Sequence, residues 1–206
     1  MGCLKSIINK IIFIILTVAF FTLGGWTFVK NSYDKYKNPP REEFIKTEKN
    51  YADFSNVSSD YQLSRCFNVF GYKKISAKYL PTNQKITIYD LKNEDKIKTG
   101  DFYDKTIDKK ITDILNTFKD SFITLENFSI IEKNSYTIKG KTIPYVKFNA
   151  KVKNVPFKNL TGVIAAYATI NDKTKKPSTK LIVTIADTKA FNPAILSGFV
   201  KALKFN

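Results

Sequence analysis

VIAAYATINDKTKKPSTKLIVTIADTKAFNPAILSGFVKALKF, residues 163–205, contains both kinds of element the fold is built from. Val163 to Ala168 is a nearly continuous apolar run, the pattern of a central strand covered on at least one face. Asn171 to Pro177 is a Lys-rich loop, and Thr179 to Ala186 (TKLIVTIA) is the last strand. Asn192-Pro193 then supplies an N-cap followed by proline in the first helical turn, where a missing N–H costs nothing. The helix it opens carries Ile195, Leu196, Phe199, Val200 and Leu203 on one stripe, the spacing of an amphipathic helix that buries one face. Strand, strand, helix is thus the end of a domain in which a helix packs on a sheet.

Working upstream, Phe128 to Thr137 and Ile143 to Val152 read as a strand pair joined at Lys139-Gly140-Lys141. Ile107, Ile111, Ile114, Leu115, Phe118 and Phe122 form the apolar stripe of a helix of about 18 residues, opened by Asp101 or Asp104. Before it, Ile75–Leu80 and Lys85–Asp90 alternate around the turn Pro81-Thr82-Asn83-Gln84, a β-hairpin. The order is hairpin, helix, four strands, helix. No βαβα alternation occurs, so a doubly wound nucleotide fold is not expected. The expected class is α+β, an αβα sandwich with a mostly antiparallel sheet occupying residues 61–206.

The chain begins differently. Ile11 to Val29, IIFIILTVAFFTLGGWTFV, is 19 residues without a charge, and a bilayer core takes about 20. Ile11, Ile14, Phe20, Phe21, Trp26 and Val29 are the residues expected to span, with Trp26 at the interface and Lys10 and Lys30 snorkelling at the ends. The bulky Trp26, Phe28 and Val29 after Gly24-Gly25 make a poor cleavage site, so an uncleaved signal anchor is expected. Residues 1–10, short and carrying Lys5 and Lys10, are expected to stay cytoplasmic, which puts the rest outside. Met1-Gly2-Cys3-Leu4-Lys5-Ser6 also fits a loose acylation pattern, redundant beside a spanning helix. Residues 30–60 are polar, interrupted by Asn38-Pro39-Pro40, and read as a stalk with one short helix from Arg41 to Ile45.

Composition narrows the chemistry. The chain has 206 residues, 34 basic, 18 acidic and no His, a net charge of +16. Only Arg41 and Arg65 are arginines. The Lys, Asn and Ile usage is what an A+T-rich coding sequence produces, and Lys lacks the planar fork that reads phosphates bidentately. A general attraction to anionic surfaces survives that discount; nucleic acid is not an expected partner. Without His, a zinc site or a Cys–His nucleophile at Cys66 has no partner residue. Asp101, Asp104 and Asp108 share a helix start, where acids favour the dipole and need no cation. Two cysteines make no disulfide framework. No phosphate-binding glycine loop or nucleophile elbow is present. No catalytic, cofactor or metal residue is therefore assigned, and an enzyme is not expected.

The long helix at 107–122, the pair FSIIEKNSYTIKGKTIPYVKFNAKV and the closing segment quoted first, ending on Phe205, resemble the PsbP-like family in order over about half the chain. The resemblance is topological. It implies an accessory or docking module without catalytic chemistry and transfers no functional residue. The expected function is thus a membrane-anchored, single-pass, non-catalytic interaction module facing the cell-envelope space. Its expected partners are the bilayer and an envelope protein or anionic surface; its oligomeric state is open. The alternative is a tethered binder of a small apolar ligand or lipid, with a pocket lined by Phe and Tyr.

Overall fold

Seven strands hydrogen-bond into one antiparallel sheet in the computed structural model, which describes residues 25–69, 72–91, 99–103, 107, 109, 111, 125–152, 159–170 and 177–205. In chain order they are β2 (Tyr61–Val69), β3 (Tyr72–Tyr79), β4 (Gln84–Leu91), β5 (Leu125–Ile138), β6 (Lys141–Val152), β7 (Asn159–Ile170) and β8 (Pro177–Asp187). Their spatial order is β2-β3-β4-β8-β7-β6-β5. Each neighbouring pair is antiparallel. Two hairpin halves are therefore zipped together through β4 and β8. A two-stranded ladder, β1 (Ala52–Asp53) with β9 (Lys204–Phe205), is separate. Three α-helices have both ends among the described residues, α1 (Gly25–Lys37), α2 (Arg41–Glu48) and α3 (Pro193–Ala202).

The turns follow their residues. Lys139 and Gly140 both take positive φ, 52° and 72°, the mirror-image turn whose twist suits a two-residue hairpin. Asn83, φ 58°, closes the β3–β4 turn in the left-handed conformation that Asn tolerates. Both edge strands are bulged, β2 between Cys66 and Val69 and β5 near Ser129 and Glu132, which disturbs the flat ladder another chain could pair with.

Alternation sorts the side chains of each strand onto two faces, and both are covered. On the first, Tyr61, Leu63, Ile75, Ile86, Ile88, Val163 and Ile182 pack beneath Phe44 of α2 and Ile195, Leu196, Phe199 and Val200 of α3. On the second, Val146, Phe148, Ile164, Ala166 and Leu181 pack beneath Phe102 and the helical residues Ile107 and Ile111. This is why Val163–Tyr167 is apolar at every position: β7 is central and buried on both sides. Gly162 belongs to the same packing, since a Cβ there would stand 2.5 Å from the Phe148 ring and 2.7 Å from the Thr184 carbonyl oxygen.

The expected hairpin, the four strands from 125 to 187 and the capped closing helix are present. Asn192 accepts a hydrogen bond from the Ala194 N–H, and Pro193 begins the helix. Of the helix expected over 107–122, Ile107, Lys109 and Ile111 are helical, with Ile107 and Ile111 fully buried; the remainder lies outside the described residues.

One boundary is corrected. Residues 30–60 were expected as a stalk before a domain at 61–206, but the compact unit runs from Pro40 to Asn206. Phe44, Tyr51, Ala52, Phe54 and Val57 are all core residues. They are scattered in ones and twos among polar neighbours, so no periodic run marks them, yet each belongs to the first-face core. The rings of Phe44 and Phe54 meet edge to face at 5.1 Å. The short helix is present and longer than expected, Arg41–Glu48. The strand β2 and the β1–β9 ladder were not expected from the sequence.

The unit before Pro40 is described only from Gly25. Its helix α1 ends at Lys37, just before the Asn38-Pro39-Pro40 stop. Tyr33 and Tyr36 are exposed on it, and the Lys37 ammonium lies 5.8 Å from the Tyr33 ring.

Candidate functional site: a buried charge network

The polar constellation that the fold assembles most deliberately lies on the first face, where α2 and β9 meet the sheet. Lys180 sits in the apolar strand TKLIVTIA, two residues before Ile182, and so faces the same core. Asp90 is its register partner across β4–β8. The Lys180 Nζ lies 3.1 Å from Asp90 Oδ2, with the lysine side chain only 5% exposed. The same ammonium stands 4.4 Å from the centre of the Tyr51 ring and 6.0 Å from that of Phe205. Carboxylate on one side and aromatic faces on the others replace the water a buried cation loses.

A second node adjoins it. Arg65 Nε lies 3.3 Å from Glu48 Oε1, and its Nη2 lies 3.3 Å from Glu43 Oε1 and donates to Thr47 Oγ1. Arg65, Glu43 and Glu48 thus tie β2 to α2. Tyr51 links the nodes: burial, then the charges of Asp90 and Glu48, hold its hydroxyl well above the ordinary tyrosine range. It stays protonated between two carboxylates, each paired with its own cation.

The two arginines share one task. Arg41, at the start of α2, donates from its guanidinium to the carbonyls of Val57, Ser58 and Tyr61. A planar fork can hold several fixed acceptors at once, which a lysine ammonium does less well. In a chain whose other basic residues are all lysine, both arginines pin α2 to the segment leading into and along β2.

Helix α3 is docked by neutral groups. Gln84, fully buried, donates from Nε2 to Thr184 Oγ1 and the Asn192 carbonyl and accepts from the Asn192 N–H. The Tyr61 hydroxyl donates to the Ile195 carbonyl at 2.9 Å. Lys139 Nζ donates to the Leu203 carbonyl at 2.9 Å, a cation at the negative end of the helix.

Chemically the network holds rather than reacts. Its ammonium is ion-paired and covered, its phenol is held protonated, and its carboxylates face cations. Desolvation of both charges offsets much of their attraction, so a buried ion pair of this kind adds little net stability while the loss of one partner is costly.

Tyrosine burial has a pH consequence. Tyr61 and Tyr136 are pushed up to about 12, first by burial. Tyr145 is also raised, by burial and by the hydrogen bond it donates to Glu132 at 2.6 Å. A tyrosine protonated in the fold but ionised in the unfolded chain stabilises fully below its unfolded value near 10, and that contribution falls as pH rises through the folded value. We expect a flat denaturation midpoint up to about pH 9 and a steep fall between about 10 and 12. A midpoint unchanged across that window would contradict the burial of these hydroxyls.

Ile11, Ile14, Phe20 and Phe21 lie outside the described residues. Trp26 and Val29 lie in α1, with side chains outside the description. Among the described residues, no helix is long and apolar enough to cross a membrane. Asp101 lies in the 3-10 turn Thr99–Tyr103, while Asp104 and Asp108 lie outside the description. Cys66 is on β2, opposite Lys74. The network residues were missed because charges read as surface. The available signals were a lysine inside an apolar strand and the scarcity of arginine. No protein-family model matches the chain, and no curated protein matches it.

Proposed function

We propose that this chain is a membrane-tethered, non-catalytic interaction module whose folded unit is held outside the cytoplasm. The observation that carries the reading is the uncharged run Ile11–Val29, whose last five residues are helical. The helix continues to Lys37 and stops at the Asn38-Pro39-Pro40 brake, and the folded unit starts at Pro40. Phe and Tyr are used in ring contacts within that unit, among them Tyr61–Phe199 at 5.1 Å and Tyr136–Tyr145 at 4.3 Å. Their abundance therefore supports a filled core, and no observation favours the ligand-binding alternative. The accessory role is what the PsbP-like resemblance implies, and a sheet covered on both faces is compatible with it.

Membrane fractions washed with alkaline carbonate should retain the full chain, and removal of residues 1–30 should release a folded soluble product. Full-length chain in the soluble fraction would overturn the tether. Protease added to intact spheroplasts should digest the folded unit; its protection would reverse the orientation.

A further inference from the structure

Hydrogen bonds fix which end of the folded unit the tether feeds. Arg41, the first residue of α2, donates to the carbonyls of Val57, Ser58 and Tyr61. Tyr61 opens β2 opposite Tyr79, and the Leu80 N–H donates to the Asp60 carbonyl at 2.9 Å. Pro40 and the β3–β4 turn therefore share one end of the strands. We infer that this corner, with Leu80 at its tip, is a docking surface that enters the lipid headgroup layer, an inference that rests on the tether proposed above. Among the described residues of the folded unit, the exposed large apolar side chains are Leu80, at 49%, and Ile131, at 50%. Ile131 sits at a bulge of the edge strand β5. Leu80 is followed by exposed Pro81 in a turn, where polar residues are the rule. Lys78 and Lys85, register partners just behind the tip, have stems long enough to keep their ammonium groups at the level of lipid phosphates. Asp60, which accepts from the Ser58 hydroxyl, and Glu42 lie at the same end and offset them. What this corner offers a partner is apolar contact, not net charge.

Chain length makes lipid the occupant. The uncharged run ends at Val29, and α1 continues from there to Lys37, about 12 Å along its axis. The extended reach from Lys37 to Pro40 adds at most about 10 Å. The headgroup region takes up roughly 5–8 Å on each side of a bilayer core, so Pro40 stands no more than about 15 Å outside it. One leucine could not hold a free domain on a bilayer. The tether makes the contact intramolecular, so a small gain suffices to choose which corner faces the lipid.

The test uses the full chain in phosphatidylcholine vesicles and reads quenching of tryptophan emission by bromine placed on the lipid chains. Trp26 is the chain's one tryptophan, so Trp26→Phe gives a dark background. On it, Leu80→Trp should lose about half or more of its emission to lipid brominated near the headgroups, the roughly 5–10 Å depth of an interfacial apolar side chain. Thr142→Trp, at the far end of β6 and about 30 Å or more away along the strands, should lose less than about a tenth, and so should Ile131→Trp. In about 1 M salt, which shortens the screening length to about 3 Å, quenching at position 80 should persist. With Trp26 retained, vesicles should protect Lys78 from an amine reagent, and Leu80→Asp should abolish that protection while leaving Lys201 unchanged. Flotation of the parent chain tests the tether separately. A chain that floats but shows no quenching at position 80 would overturn the docking and leave the tether standing. Equal quenching at positions 80, 131 and 142 would overturn it as well, since no corner would then be preferred. So would emission at position 80 that shifts to the blue with chain concentration and is not quenched by lipid, which would assign the turn to a second copy. A chain that does not float has lost the tether, and the docking that rests on it falls too.

Discussion

Asp90→Ala should lower the free energy of unfolding by about 3–5 kcal/mol, the cost of leaving a buried cation without its partner. The magnitude follows from where Lys180 is. Its side chain is 5% exposed, while that of Asp90 is 26% exposed. The carboxylate can find water if its partner is lost, but the ammonium, against the Tyr51 and Phe205 rings, cannot do so without displacing them. Loss of the acid therefore costs more than its own contact. Lys180→Met with Asp90→Leu removes both charges and fills the same space, and should fall within about 1 kcal/mol of the parent or exceed it. Raising salt should change the single variant's deficit little, because a buried pair is poorly screened. Guanidinium-free urea denaturation of the chain lacking residues 1–30 measures each value. An Asp90→Ala deficit under about 1 kcal/mol would mean that Lys180 is hydrated and that the β1–β9 ladder does not seal it.

How far the sequence could be read depends on whether a physical signal is local. The capped helix α3 was legible because Asn192-Pro193 and a stripe at helical spacing are local. The β5–β6 hairpin was legible because Gly140 is one of few residues suited to its left-handed turn. The two-face burial of β7 was legible as an unbroken apolar run. What was not legible is non-local. Strand β2 reads YQLSRCFNV, with alternation blurred where Arg65 faces inward to meet Glu43 and Glu48. The segment 40–60 looked like a stalk because its core residues are scattered in ones and twos among polar ones and converge only when α2 packs on the sheet. The Lys180–Asp90 pair joins strands that are far apart in the chain, and no spacing rule links them. The segment 40–60 and the charge network were therefore missed for one reason: both are made by contacts between segments separated in the chain, which only the folded sheet and α2 bring together.

Phe199→Ala should cost about 3–5 kcal/mol, the range for truncating a buried aromatic and leaving a cavity. Phe199 is 1% exposed and is among the largest fully buried side chains. Its ring lies 5.1 Å from that of Tyr61, whose hydroxyl donates to the Ile195 carbonyl of the same helix. The cavity would open between helix and sheet, where the backbone is held on both sides. Gln84 clasps the helix entry through Asn192, and Lys139 holds its exit at Leu203. With both ends fixed, α3 cannot settle inward to fill the space, so the cost belongs toward the upper part of that range. Lys201→Ala, on the exposed side of the same helix, should change stability by less than about 0.5 kcal/mol. The contrast between two positions two residues apart is the test of docking, since helix propensity alone would treat both changes to alanine as neutral or favourable. Gln84→Ala combined with Phe199→Ala should cost less than the sum of the single changes, because releasing the helix entry lets α3 collapse into the cavity. Strict additivity would show that the clasp at Asn192 does not restrain the helix.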